Sequence, residues 1–197
     1  MSLGLVAGFV EAPLVNQSVC QMRVEPTTLS DLPAIRAVYA SATEIQREQG
    51  AVIWDEFPAQ LTVSEIETGR LFRVMDGDAL AGVFSVAYED DAIWGERERG
   101  EHIYLHRIAR ATTYPGRGIM GAVLEWAWEE CHRLGRVGLR IDTWASNQAL
   151  IDFYERQGFR LVGQRRIGVE PRLAPHYQGI ELALLEATRQ RDSRLSN

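Results

Sequence analysis

Apolar positions recur along this chain with two periods. Over residues 32–45, Leu32, Ile35, Val38, Tyr39, Ala42 and Ile45 fall on one face of a helix, which Thr28 or Ser30 can cap. Residues 116–134 carry the strongest helical pattern. Its buried stripe is Ile119, Met120, Val123, Leu124, Ala127, Trp128, Cys131 and Leu134, and Gly135 supplies the stop. Shorter helices are predicted over 62–67 and 146–157, ending near Gly69 and at Gly158. Strand-like runs cover 22–25, 71–75, 79–88, 103–110, 138–143, 159–167 and 178–185, and Asp76-Gly77-Asp78 joins the second to the third as a hairpin. Residues 89–101 are polar, with Gly95, Gly100 and one aromatic, Trp94, and read as a loop that interrupts the sheet. The order β-α-α-β-β-β-α-β-α-β-β places consecutive strands in the middle and helical crossovers later. It predicts a single α/β domain with a mixed, mostly antiparallel sheet of six or seven strands flanked by about four helices.

With 197 residues, 46% of them hydrophobic, the chain can build one core without a disulfide or metal staple. The domain is expected over 21–187, between a loose arm at 1–20 and a polar tail at 188–197. Residues 3–10 are mildly apolar but lack a basic start, so they do not read as a signal peptide. With no run long enough to span a membrane, the expectation is a cytoplasmic protein with no membrane partner. Cys20 and Cys131 lack metal-ligand spacing, and no metal is expected. A net charge of −6 argues against a nucleic-acid partner and favours a cationic or amine one. All 21 basic residues are Arg. The absence of Lys removes P-loop and kinase phosphate chemistry and any Schiff base on a lysine amine.

Gly116-Arg117-Gly118-Ile119-Met120-Gly121 matches G-x-G-x-x-G, lies between a strand and a helix, and has Asp142 about twenty residues beyond it. Taken alone it suggests a nicotinamide-dependent oxidoreductase. Three features oppose that. The preceding strand is half polar, five residues separate it from the first glycine, and too little chain follows for further parallel strands. The simpler reading is a helix N-terminus whose unhindered amides, with Arg117 beside them, hold phosphate oxygens. A plain helix start, with glycines for close packing, is the alternative.

Downstream, Asn147 stands near a helix start, Tyr154 two turns later on about the same face, and Gly158-Phe159 at the exit into a strand. Taken singly, Asn147 reads as an N-cap and Tyr154 as a half-buried core aromatic. Together with the glycine loop, the run Asn147…Tyr154…Gly158-Phe159 resembles the GNAT family of N-acetyltransferases over about 22–185, most strongly over 104–159. Pro115 and Met120 depart from the family's loop pattern, and Arg110 replaces its usual small apolar residue at the strand end.

The resemblance implies an acetyl-CoA-dependent acyltransferase, with acetyl-CoA as co-substrate and an amine of a small molecule or peptide as acceptor. It implies that strands 103–110 and 138–143 splay apart. The pantetheine arm would pair with backbone near Ile108 and Arg110, and an N–H near Ile108 or Ala109 would face the thioester carbonyl. The amides of Gly116, Gly118, Ile119 and Gly121 would take the pyrophosphate, with Arg117 and Met120 in the same loop and Asn147 steadying the cofactor. Tyr154 matches the family's general acid. A base is still required, and His106 has the right intrinsic pKa, although a satisfied strand histidine is the alternative. Glu101, His102 and Asp142 are further candidates. The acceptor pocket is expected around Trp54, Glu56, Phe57, Trp94 and His176-Tyr177, with Trp54 and Trp94 equally readable as core or lid aromatics. A homodimer through an edge strand and a catalytically silent acyl-CoA-binding module complete the expectations.

Overall fold

The computed structural model describes residues 22–48, 59–114, 118–173 and 177–189. Trp54, Glu56, Phe57, Gly116, Arg117, His176, the expected arm and most of the expected tail lie outside the described residues. Seven strands form one sheet: β1 (Arg23–Pro26), β2 (Leu71–Asp76), β3 (Ala79–Ala87), β4 (His102–Arg110), β5 (Gly138–Trp144), β6 (Arg160–Arg166) and β7 (Glu181–Thr188). Their order is β1-β2-β3-β4-β5-β7-β6. Every neighbouring pair is antiparallel except β4 and β5. The sheet is thus the mixed, mostly antiparallel one expected, and a doubly wound dinucleotide fold is excluded.

The helices are α1 (Leu32–Glu48), α2 (Ala59–Glu67), α3 (Asp91–Trp94), α4 (Ile119–Leu134) and α5 (Gln148–Arg156). Helix α4 buries Ile119, Val123, Ala127 and Cys131, spaced four apart, against one face of the sheet. Ile151 and Tyr154 of α5 join that core, whose sheet side includes Ile103, Leu105, Leu139 and Ile141. The opposite face carries two smaller clusters. One joins α1 and α2 to Leu71, Val83 and Ala109. The other joins α3 to Tyr104, Trp144, Leu182 and Leu184. Alternation along β4 and β5 therefore sorts each residue to one side of the sheet or the other.

The 89–101 segment differs from its expected loop. Asp90 accepts a hydrogen bond from Ile93 N–H and caps the one-turn α3, which buries Ala92, Ile93 and Trp94. Trp94 is 1% exposed, lies tilted against Tyr104 with ring centroids 5.7 Å apart, and carries the Arg140 guanidinium 4.4 Å above its ring. Arg140 in turn donates to Glu186 at 2.8 Å and to the Tyr104 hydroxyl at 3.0 Å. Trp94 is thus a core residue of the α3 cluster and not a contact for an acceptor. Strand β7 also runs further than expected and takes in Thr188. Among the described residues no helix is long and apolar enough to cross a membrane.

Strand β4 contains a bulge. Val83 pairs with Ala109 and Ser85 with His106, so two β3 steps face three on β4. The extra residue is Arg107, a non-glycine at φ +48. Just beyond it Gly82 pairs with Arg110, and a Cβ at Gly82 would stand 2.7 Å from the Ala109 carbonyl oxygen. Gly82→Ala should therefore lower stability by about 1–3 kcal/mol in denaturant unfolding, because backbone and not a flexible side chain must yield.

Candidate active site

Strands β4 and β5 are paired only from His102↔Gly138 to Leu105↔Ile141. Beyond that step β4 stays with β3, through its bulge, and β5 stays with β7. The two strands part, and the first residues past the fork are His106 and Asp142. The parting opens a cleft of about 400 Å³. Leu105, Ile108 and Ile141 form its apolar wall, and Asn147, Leu150 and Tyr154 enter from the start and middle of α5. Thr143 and Trp144 line it further along β5, with Tyr177 ahead of β7.

His106 and Asp142 face the α3 side of the sheet, as does Tyr104 two residues before His106. The His106 ring sits between two carboxylates. Its Nε2 is 3.3 Å from Asp90 Oδ2 and its Nδ1 is 3.6 Å from Asp142 Oδ1. Burial alone would lower the imidazole pKa, but the hydrogen bond and charge of Asp90 and the charge of Asp142 outweigh it and hold it above the ordinary value. Burial pushes the Asp142 carboxyl up to about 6 against the pull of His106, and the Asp90 charge adds to the rise. Arg107 also borders the cleft, but its guanidinium is turned to the α2 side, ion-paired with Glu65 and donating to Ser85 Oγ at 2.8 Å.

Tyr154 is buried and belongs to the core on the opposite face. Burial, and secondarily the Asp142 charge, holds its phenol above the ordinary tyrosine range, so it stays protonated at neutral pH. Burial and the same carboxylate act likewise on Tyr177. Asn147 caps α5, its side chain accepting from Leu150 N–H at 3.1 Å, and it also borders the cleft. The N-cap reading of Asn147 is thus met.

The glycine loop resolves in part. Gly118 is the N-cap of α4 at φ +82, a conformation that favours glycine. Ala122 N–H bonds back to Gly118 O at 3.0 Å, which leaves the amides of Ile119, Met120 and Gly121 without an intrahelical partner. No acidic residue stands in this first turn. Among the described residues, Gly121 has no heavy atom within 4 Å of a Cβ position, so close packing against them does not explain it. Ile119 is buried and Met120 half-buried against the core. Arg110 is exposed and donates to the Tyr114 carbonyl at 2.5 Å, while Ala109 is buried on the α1 side.

Of the expected site residues, the cleft thus gathers His106, Ile108, Asn147, Tyr154 and Tyr177, with Asp142 beside them. Trp94 is elsewhere. Asp90 went unnoticed in the sequence; its only mark there is the cap position ahead of Asp91-Ala92-Ile93-Trp94. His102 packs away from the cleft at 3.3 Å from Glu186. Cys131 is a buried thiol pushed up to about 11 by burial, inert as a nucleophile.

Residues 36–159 match the model of the acetyltransferase (GNAT) family. YesJ of Bacillus subtilis (strain 168), described as an uncharacterized N-acetyltransferase, is 28% identical over 146 residues, 70% of this chain and 81% of its own. A GNAT-family acetyltransferase from Listeria monocytogenes 4b F2365 superposes with a TM-score of 0.68 at 19% identity, covering 85% of this chain and 95% of that one. YncA of Salmonella typhimurium, solved with its cofactor acetyl-CoA, superposes with a TM-score of 0.60 at 16% identity, covering 89% and 98%. The sheet topology, the forked strands and the match over 36–159 together make this chain a member of the GNAT acetyltransferase family, and hence an acyltransferase.

Proposed function

We propose that the protein moves an acetyl group from acetyl-CoA to a primary amine of a small molecule or peptide by direct attack on the thioester. The observation that carries this reading is the fork. Strands β4 and β5 stop pairing after Leu105 and Ile141, and the unpaired backbone of β4 near Ile108 faces the space between them. An extended amide chain fits there as an added strand, and a backbone N–H beside Ile108 suits a developing oxyanion. The amides of Ile119, Met120 and Gly121 at the α4 N-terminus, which have no intrahelical partner, suit a pyrophosphate.

His106 takes a proton from the acceptor ammonium. The freed lone pair forms the C–N bond, the C–S bond breaks, and Tyr154 gives its proton to the departing thiolate. The new amide nitrogen loses a second proton, so the balance is ammonium plus thioester to amide, free thiol and one proton. Acid and base stand on opposite faces of the sheet, and the fork is an opening through which both reach the same carbonyl. The Asp142 carboxylate at the cleft suits a cationic acceptor, and the half-buried Tyr177 belongs to its pocket.

Tyr154→Phe keeps the ring and removes the donor. Turnover, read by thiol release, is expected to fall about 10²-fold or more. The rise in melting temperature with acetyl-CoA should be unchanged; unaltered turnover would take Tyr154 out of the reaction.

Gly121→Asp tests the phosphate end. The position is exposed, clear of neighbours and not at positive φ, so the fold should tolerate the change. A carboxylate in the first turn would compete with phosphate for the same dipole and amides. The KM for acetyl-CoA is expected to rise about tenfold with kcat little changed, whereas an unchanged KM would move the diphosphate away from α4.

A further inference from the structure

Asp90 belongs to neither strand of the fork, does not line the cleft, and matches no motif. It is nevertheless tied down from three sides. Its backbone N–H donates to Glu98 Oε2 at 2.9 Å, its Oδ1 accepts from Ile93 N–H, and its carbonyl accepts from Trp94 N–H at 2.9 Å. Its Oδ2 is buried, lies 3.3 Å from His106 Nε2, and has no closer donor among the described residues. A buried carboxylate oxygen left to one imidazole is costly unless that imidazole supplies a proton.

The ring thereby acquires a direction. The tautomer protonated on Nε2 is the one that can pair with Asp90, and it puts the lone pair of neutral His106 on Nδ1, the side where Asp142 borders the cleft. The 3.6 Å between Nδ1 and Asp142 Oδ1 exceeds a good hydrogen bond, so the two present themselves as neighbouring acceptors facing shared space. Their three ligating atoms lie within 4.8 Å of one another. Each ring nitrogen, however, addresses a different carboxylate, which is the arrangement of a proton path and not of a single metal ion.

We propose that Asp90 is a positioning residue that holds His106 as its Nε2–H tautomer, leaving Nδ1 and the Asp142 carboxylate as a paired acceptor for the ammonium of the acyl acceptor. This rests on the acetyl-transfer reading above. In the step, the ammonium donates one N–H to Asp142, which holds the cation, and a second to Nδ1, which removes the proton. Imidazolium then lies between two carboxylates, and its charge is met on both sides. Among the described residues, the charged and titratable groups around His106 are Asp90 ahead of α3, Asp142 on β5, Arg107 on β4 with its Glu65 partner on α2, Tyr154 on α5 and Tyr177 ahead of β7.

The sign follows from charge. Asp90 and Asp142 both favour the protonated ring, so kcat/KM should rise with pH through a His106 pKa above 6.5. Asp90→Asn keeps the α3 cap, since an amide oxygen also accepts from Ile93 N–H, and removes the charge. It is expected to shift the acid limb of kcat/KM to lower pH and to lower plateau kcat about tenfold, part of what a positioned base supplies. Nuclear magnetic resonance of the ring, assigned through His106→Gln, reads the same change without turnover: the His106 titration should move down in Asp90→Asn, and the wild-type neutral ring should carry its proton on Nε2. Asp142→Asn should raise the KM for the amine as well as lower kcat.

An unmoved His106 titration in folded Asp90→Asn, a neutral wild-type ring protonated on Nδ1, or chelator-sensitive activity restored by a divalent ion would each overturn the proposal. Wild-type protein that releases no thiol with acetyl-CoA and amines would instead overturn the acetyl-transfer reading. The ring titration would still report on Asp90 in that case.

Discussion

Hydrogen bonding decides this structure at one place, where two parallel strands cease to share it. A strand that loses a neighbour must find another or leave its amides to water. Here β4 keeps β3 and β5 keeps β7, so each has one satisfied edge past Leu105 and Ile141 and one bare edge facing the gap. The bulge at Arg107 lets β4 turn while its pairing with β3 resumes at Ala109. The cleft is therefore a consequence of strand pairing and not a hollow carved between loops, and its walls are as rigid as the sheet.

That rigidity matters because charge is buried at the fork. Ionised groups removed from water lose several kcal/mol of solvation each, and only good partners offset it. Arg107 is met by Glu65 and Ser85 on one side of the bulge. His106 is met by Asp90 and Asp142. The second set is balanced less fully: one imidazole serves two carboxylates, and burial, with the Asp90 charge adding to it, pushes Asp142 up to about 6 against the pull of His106. With one carboxylate too many for its cation, the group has the charge that the proposed ammonium acceptor would meet, and the stability given up there is recovered in the apolar clusters on either face.

Much of this was legible in the sequence, for physical reasons. Helix α4 and the strands announce themselves because burial on one face imposes a period, and the Asp76-Gly77-Asp78 hairpin because Gly77 accepts φ +58. Gly118 and Asn147 stand out because a positive φ and an N-cap each restrict residue choice. What stayed hidden has no local signature. Helix α3 is four residues long, too short for a period, and its acidic neighbours made Trp94 look like a loop aromatic when Arg140 and Tyr104 in fact enclose it. The bulge falls on Arg107, where no glycine marks it. Asp90 meets His106 only because α3 folds back over β4, a tertiary fact that spacing along the chain does not encode.

The two faces of the sheet then divide the chemistry. Tyr154 belongs to the core beneath α4 and α5, whereas His106 and Asp142 follow the alternation that puts Tyr104 and Arg140 under α3. An unbroken sheet would keep these groups apart, since no side chain passes through a paired ladder. Parting β4 from β5 removes the ladder for the few residues where the groups stand, so a phenol from one face and an imidazole from the other can address a single carbonyl in the gap. In the proposed reaction the acid and the base are therefore held on opposite sides of the sheet, and the proton taken by one and the proton given by the other are both exchanged with whatever occupies the fork.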